Sequence, residues 1–312
     1  MKLLVIPGHF RISQSKLSAS DAIRYFDAVF SNGMKAIVLS FDPHLEIANL
    51  VVETYNRLWP DCPFVFRIPF TDRDPRTIFA AQNVEFIQTP SDIRSTMENL
   101  LRGLPEDEFV FWCVDDRYPI EILNLSVLGA ALDFVSGKPP NVDSIKWTDI
   151  RVAGAHRKRN TKRQLLAHIL ALFRRRSTQA PDRHTEWRQR EEATSRAPAF
   201  ILAGQPFFRQ LGHPKNGFYM PQFTTPAFLT RFFCAPALPL LYGIREFHRF
   251  LLSAEFEHES YFPDRFLVST AESTFQGQLS ASCYEQIMKL GLLPPKIPVR
   301  KDYKIYAQQP PQ

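Results

Sequence analysis

The stretch Phe109-Val110-Phe111-Trp112-Cys113-Val114-Asp115-Asp116-Arg117-Tyr118 carries the clearest chemical signal in the chain. Its apolar part, bounded by Glu108 and Asp115, is short and rich in aromatic and β-branched residues, which predicts a buried strand rather than a helix. The strand runs directly into two adjacent carboxylates. Like charges side by side repel, so such a pair calls for positive charge between or beside them. A divalent cation bridging to phosphates is one answer, because hard cations take oxygen ligands. Carboxylates at the carboxyl end of a buried strand also stand where open α/β sheets bind their ligands. The plainer reading is a strand-ending turn with solvated Asp115 and Asp116 and with Arg117 as a local counter-charge. On the first reading Asp116, one residue further out and facing the crevice if Asp115 turns to the loop, is the stronger ligand.

The elements that must position this pair follow from apolar spacing. Leu3 to Ile6 predicts a short strand stopped by Pro7-Gly8, and Asp21 to Phe30 a short helix capped by Ser20. Lys35 to Leu39 predicts a strand ending in Ser40-Phe41-Asp42. Pro43 to Leu58 predicts an amphipathic helix with Leu45, Ala48, Val51, Val52, Tyr55 and Leu58 on one face. Strands are expected at Phe64 to Ile68 and Val84 to Ile87, and helices at Ser91 to Leu101 and at about Ile120 to Phe134. This alternation is that of a largely parallel sheet with crossover helices. Later in the chain, Ala199 to Ala203 and Phe218 to Met220 are strand-like. Pro226 to Phe233, Arg245 to Ala254 and Ser280 to Leu290 are helix-like, the last ending at Gly291.

Here the residues carry a family pattern. The strand Lys35-Ala36-Ile37-Val38-Leu39-Ser40-Phe41-Asp42 is followed by a helix that runs into Leu58-Trp59-Pro60-Asp61-Cys62-Pro63-Phe64. A later apolar strand ends in Asp115-Asp116-Arg117-Tyr118. Together they resemble a group of bacterial GT-A-type glycosyltransferases, over roughly residues 35–135. The resemblance implies a nucleotide-diphospho-sugar transferase fold: a mostly parallel α/β sheet flanked by helices, in one domain. It implies transfer of a sugar to a glycan or lipid-linked acceptor, with a divalent metal (Mn or Mg) on Asp115 and Asp116, and Asp116 among the catalytic residues. The chain departs from the common Asp-x-Asp pattern, with Val114 and Arg117 where a further acid is expected. Arg117 then either supplies positive charge to the diphosphate or marks altered metal use or a lost activity.

The chemistry can be stated on its own terms. When the bond from a sugar carbon to a diphosphate breaks, negative charge grows on the leaving group and must be neutralised by a metal or an Arg. Asp115, Asp116 and Arg117 are the best placed groups. Ser40, Phe41 and Asp42, at the end of the first sheet strand, belong beside the nucleotide. Asp42 could accept a hydrogen bond from a uracil or ribose, or could cap the helix beginning at Pro43. An inverting reaction also needs a base for the acceptor hydroxyl. The chain offers Glu246, Glu255, Glu257 and Glu259, and the resemblance favours Glu246 in its Glu-Phe dipeptide; each reads equally as a solvated acid on a helix face. The aromatics Phe207, Phe208, Phe218, Tyr219, Phe223 and Phe228 fit either a core or flat faces for a sugar.

Charge is unevenly spread. Between Arg151 and Arg196 there are thirteen Lys or Arg against four acids, a local +9 in a chain of net +6, which leaves −3 for the rest. Within this stretch Leu165 to Phe173 is apolar-rich and flanked by Arg157-Lys158-Arg159 and Arg174-Arg175-Arg176. Nine residues cannot span a bilayer, but they could lie at the interface with the basic flanks on anionic head groups. A helix packed on the fold with solvated ends, followed by a linker, accounts for the same residues. Nucleic-acid binding is disfavoured, since Trp187 is the segment's single Trp and offers little for stacking. The four cysteines, Cys62, Cys113, Cys234 and Cys283, are scattered without CxxC pairing, which argues against structural zinc and disulfides and for a reducing compartment. The apolar run after Met1-Lys2 is too short for a signal peptide. The expectation is a cytoplasmic protein with peripheral contact on the inner membrane face. Its layout is an N-terminal extension (1–34), a nucleotide-sugar-binding half (35–150), a basic insertion (151–197) and an acceptor-binding half (198–312). The rival expectation is a catalytically inactive GT-A-like protein that serves as a binding or membrane-associated module.

Overall fold

The computed structural model describes residues 33–147, 197–211, 218–253, 258–275 and 278–300, together with two short strands, β1 (Leu4–Val5) and β2 (Arg11–Ile12), that pair antiparallel. The helix expected at Asp21 to Phe30 and the basic stretch Arg151 to Arg196 lie outside the described residues.

The apolar runs of the first half become strands β3 (Met34–Leu39), β4 (Phe64–Phe70), β5 (Val84–Gln88) and β6 (Val110–Val114). β3 and β6 are apolar on both faces because both faces are covered. Ala36, Val38, Phe111 and Cys113 point into one core, while Ile37, Val110, Trp112 and Val114 point into another. That two-sided burial is the usual condition of parallel strands, and β3 pairs in parallel with both β4 and β6, as β4 does with β5.

Helices close both faces. On the first, α1 (Leu45–Leu58) buries Leu45, Ala48, Val51, Val52 and Tyr55, the spacing read from the sequence. On the second, α2 (Ile93–Leu101) is capped by the Asp92 carboxylate, which accepts from the Ser95 amide at 2.8 Å, and packs Met97, Leu100 and Leu101 inward. The expected mixed α/β fold, with a largely parallel central sheet flanked by helices, is what these residues form.

The helix expected from Ile120 is instead strand β7 (Arg117–Ile122), and α3 (Leu125–Ser136) begins only after Asn124, whose side chain accepts from the Val127 amide. The partner that makes β7 a strand is β13 (Val268–Glu272), far along the chain, so no local pattern could reveal it. Likewise Phe218 to Met220 is not a strand. The strand is β11 (Gln222–Thr224), which sits antiparallel between β6 and β8 (Ser144–Lys146). The remaining strands of the central sheet are β9 (Phe200–Leu202), β10 (Gln205–Leu211) and β12 (Glu259–Pro263). Its nine strands run in the order β5-β4-β3-β6-β11-β8-β12-β10-β9.

Three helices of the second half complete the covering: α4 (Pro226–Phe233), α5 (Ile244–Ser253) and α6 (Ala281–Lys289). Phe228, Phe232, Phe233 and Phe247 from α4 and α5 pack under Trp112, and Ser280 caps α6, which ends at Gly291 with φ of 64°. Phe207, Phe218, Phe223 and Phe228 are core rather than ligand surface, and Tyr219 alone of that aromatic group reaches the cleft described below. All four cysteines are unpaired. Among the described residues no helix is long and apolar enough to cross a membrane.

Candidate functional site

The sheet order fixes where a site can form. From β3 the chain moves outward through β4 to β5, then returns to the other side of β3 as β6. The loops leaving β3 and β6 therefore diverge and leave a crevice at their carboxyl ends. Ser40 to His44 follows β3, and Asp115 to Arg117 follows β6. The two loops are tied where they start, since the Asp115 amide donates to the Leu39 carbonyl at 3.2 Å. The crevice opens into a cleft of about 690 Å³. Its floor is Ser40, Phe41, Asp42, His44, Asp115, Asp116 and Arg117, and its far wall includes Tyr219, Ile244 and His248. Of the residues singled out in the sequence, Ser40, Phe41, Asp42, Asp115, Asp116 and Arg117 are brought together here. Glu246 is not among them: its carboxylate accepts from the Gly243 amide at 3.0 Å and caps its own helix, on which Ile244 and His248 line the cleft.

The two carboxylates differ in surroundings. Asp115 is 6% exposed and accepts from the Ser40 hydroxyl at 2.6 Å, while its backbone carbonyl accepts from the Ser273 hydroxyl at 2.7 Å. His44 Nδ1 lies 3.3 Å from Asp115 Oδ2, an ion-pair distance without the alignment of a hydrogen bond. The Asp115 carboxylate beside it raises the His44 pKa against the opposing effect of burial, with Asp116 adding to the rise. Asp116 lines the cleft with less local support. Burial pushes its carboxyl up to about 6; Arg117 works against this, and Glu272 and Asp115 add like charge.

Two expectations change in detail. Asp42 does not cap a helix with its side chain. Its carboxylate accepts from the amides of Thr71, Asp72 and Arg73 at 2.8–2.9 Å and so pins the loop after β4. Burial raises its pKa, but these three amides outweigh that and hold it below the usual carboxylate range. Arg117 is paired with Glu272, Nη1 to Oε1 at 3.1 Å, across the β7–β13 ribbon, although it still lines the cleft.

Sequence reading missed His44 and His248, and named Tyr219 only within a group of aromatics that fit either a core or a sugar face. The signal for His44 was present, because Asp42-Pro43-His44 opens a short 3-10 turn that must follow the strand into the crevice. Phe41, 53% exposed, has its ring 4.3 Å from that of His44. Nothing local sets Tyr219 apart from its aromatic neighbours or marks His248, and both arrive from the second half of the chain.

The residues present suit a cation in one particular way. Among the described residues no group of three His, Cys, Asp or Glu side chains could hold a metal alone. Two carboxylates that bind a cation already carried by substrate phosphates need no third protein ligand. Asp116 fits that mode, because a desolvated carboxyl facing like charges favours a cation when it ionises.

The bond between Ser40 and Asp115 gives a first test. Ser40→Ala leaves a buried charge short of a donor and should cost about 1.5–3 kcal/mol. Urea denaturation reads this directly, and a loss under about 0.5 kcal/mol would show that water substitutes freely for the hydroxyl.

No protein-family model matches this chain, and no curated protein matches it. Among solved structures, two that overlap it do so loosely. An active-site mutant of LgtC shares 12% identity over 73% of this chain and 72% of that one, with a TM-score of 0.34. Galactosyltransferase LgtC in complex with donor and acceptor sugar analogues shares 11% identity over 72% of this chain and 67% of that one, with a TM-score of 0.32. Overlap this loose lends the chain neither a residue assignment nor an activity.

Proposed function

We propose that this protein is a GT-A-like glycosyltransferase that moves a sugar from a nucleotide-diphospho-sugar to a glycan or lipid-linked acceptor. The observation that carries the reading is the position of Asp115 and Asp116. They stand at the carboxyl end of a central parallel strand, at the point where the strand order reverses, in a cleft of a size that suits a nucleotide sugar. The resemblance over roughly residues 35–135 agrees with it.

In the reaction the bond between the anomeric carbon and a diphosphate oxygen breaks, and a bond from that carbon to an acceptor oxygen forms. The acceptor hydroxyl gives up its proton to a base, for which Glu246 is the candidate, and the diphosphate leaves with the bonding electrons. A divalent cation, Mn or Mg, held by Asp115 and Asp116 together with the donor phosphates, would supply the charge that stabilises the leaving group. The chain's own residues hold the geometry. Ser40 and His44 fix Asp115 from one side, and Ser273 fixes its backbone from the other. Asp42 orders the loop at Thr71 to Arg73, which forms one lip of the cleft. The exposed Phe41 ring and the half-buried His44 ring form a pair beside the floor, where a nucleobase or ribose could pack. Tyr219, Ile244 and His248 bound the side from which an acceptor would enter.

A thermal-shift screen of UDP- and GDP-sugars, with and without manganese, tests the reading, because a ligand bound to the folded state raises apparent stability by mass action. A manganese-dependent rise with at least one nucleotide sugar is expected. No response to any of them would favour an inactive, binding-only protein.

Arg117 gives a separate prediction. If its guanidinium turns from Glu272 to the diphosphate when donor binds, Arg117→Ala should weaken binding of a nucleoside diphosphate about tenfold or more and leave the nucleoside nearly unaffected. Titration calorimetry with both ligands decides it. An equal loss for both, or none, would leave Arg117 as the structural partner of Glu272.

A further inference from the structure

The far wall of the cleft ends in an unusual turn. Between α4 and α5 the chain reads Cys234-Ala235-Pro236-Ala237-Leu238-Pro239-Leu240-Leu241-Tyr242-Gly243. Leu238 and Tyr242 are buried, whereas Leu240 and Leu241 are 79% and 75% exposed. Ile244, the first residue of α5, is also exposed and lines the cleft.

The turn is firmly braced. Arg94, on α2, donates to the carbonyls of Cys234, Ala235, Leu238 and Pro239 at 2.9–3.3 Å, and the Tyr242 hydroxyl donates to the Phe233 carbonyl at 2.7 Å. Pro236 and Pro239 restrict the backbone further. With its inner side held by these bonds, the turn presents Leu240 and Leu241 outward as a fixed apolar tip.

Charge flanks the tip. Arg245 and Arg249 are exposed and four residues apart, on one face of α5. Of the nearby acids, Glu246 is folded back onto the Gly243 amide, while Asp92 and Glu98 lie on the braced inner side, where they act on Tyr242 and Cys234.

We propose that this turn docks the protein on an anionic membrane surface, with Leu240 and Leu241 entering the interfacial layer and Arg245 and Arg249 on lipid head groups. Two observations select a bilayer over a second protein. The tip is only Leu240, Leu241 and Ile244, which falls far short of the roughly 1,200 Å² that a specific protein interface needs. Bilayer contact has no such requirement, because apolar side chains and basic groups act together at the lipid surface. The paired arginines complement anionic head groups and would repel one another across a symmetric contact between two copies. The docking does not depend on the glycosyl-transfer reading. Its consequence does: Ile244 joins the tip to the cleft, so on that reading the acceptor reaches the cleft from the bilayer and is lipid-linked.

Co-sedimentation of the full chain with phosphatidylcholine vesicles, with and without phosphatidylserine, at low and high salt, tests the proposal. Binding should require phosphatidylserine and fall as salt rises. The double variant Leu240→Ser/Leu241→Ser should lower partition at least about tenfold. Arg245→Gln/Arg249→Gln should also lower it and flatten its salt dependence. The leucine variant should keep any nucleotide-sugar thermal shift, since neither leucine lines the cleft. Undiminished partition of the leucine variant, or no partition of the wild type, overturns the proposal. So does a concentration-dependent dimer that the leucine variant abolishes. Vesicle binding as expected, in a protein with no nucleotide-sugar response, would uphold the docking and remove only the glycosyl-transfer reading.

Discussion

Asp116→Asn should abolish the manganese-dependent stabilisation by nucleotide sugar while making the unliganded protein more stable than the wild type. Both effects come from one cause. The Asp116 carboxyl is desolvated and faces Glu272 and Asp115, so its pKa rises from 3.8 to about 6. At neutral pH it is nevertheless ionised, at a cost on the order of 2–3 kcal/mol to the folded state. Asn keeps the shape without the charge and removes that cost. It also removes the group best placed to hold a cation. Changes to residues that merely orient metal ligands cost 10–100-fold in affinity, so loss of a ligand should exceed about 100-fold.

The pH profile gives the sign. A carboxyl whose folded pKa is raised contributes stability that is fully present below the unfolded value of 3.8 and is lost as pH rises through about 6. His44, raised above 6.5 by Asp115, acts in the same direction in the next window: its contribution is present below 6.5 and is lost as pH rises through the folded value. The Asp116 contribution to the stability of the unliganded wild type should therefore fall between about pH 4 and 6, and Asp116→Asn should remove that fall from the profile. Differential scanning calorimetry across pH 4–8, with and without donor and manganese, checks both halves. Retention of the manganese response by Asp116→Asn would remove Asp116 from the cation site.

Trp147→Ala should be among the most damaging single changes outside the cleft, at about 3–5 kcal/mol. The indole is fully buried, stacks on Phe111 with ring centroids 4.5 Å apart, and meets the edges of Phe223 and Tyr55. Its backbone also joins segments remote in sequence: the Trp147 amide donates to Pro221, and its carbonyl accepts from Leu267. The indole N–H is buried without a hydrogen-bond partner. Trp147→Phe should therefore be far milder, because it leaves a smaller cavity and removes an unsatisfied donor. Guanidinium unfolding of the two variants separates the contributions. Equal losses for Ala and Phe would mean that the N–H has a partner in solution and carries much of the energy.

The first half of the fold was legible in the sequence because its signals are local. Two-sided burial writes itself as unbroken apolar runs, as in Phe109 to Val114. One-sided burial writes itself as helical spacing, as in Leu45 to Leu58. Where such a strand stops, the residues that follow must stand at the sheet's carboxyl edge, so Ser40 to Asp42 and Asp115 to Arg117 could be named together without coordinates. Partner choice could not be read this way. β7 is a strand because β13 reaches it from about 150 residues away, and β11 is too short to announce itself. The same limit applies to side-chain roles. That Glu246 also caps a helix, and that Asp42 also pins a loop, could not be read from their types, because the amides they accept from are placed by the fold. Residue types and local spacing determined strands β3 to β6, the first helix and the position of the carboxylate pair. Only tertiary packing decided that His44 meets Asp115, that Arg117 meets Glu272, and that Tyr219 and His248 close the far wall, because each contact depends on segments that only the folded sheet brings together.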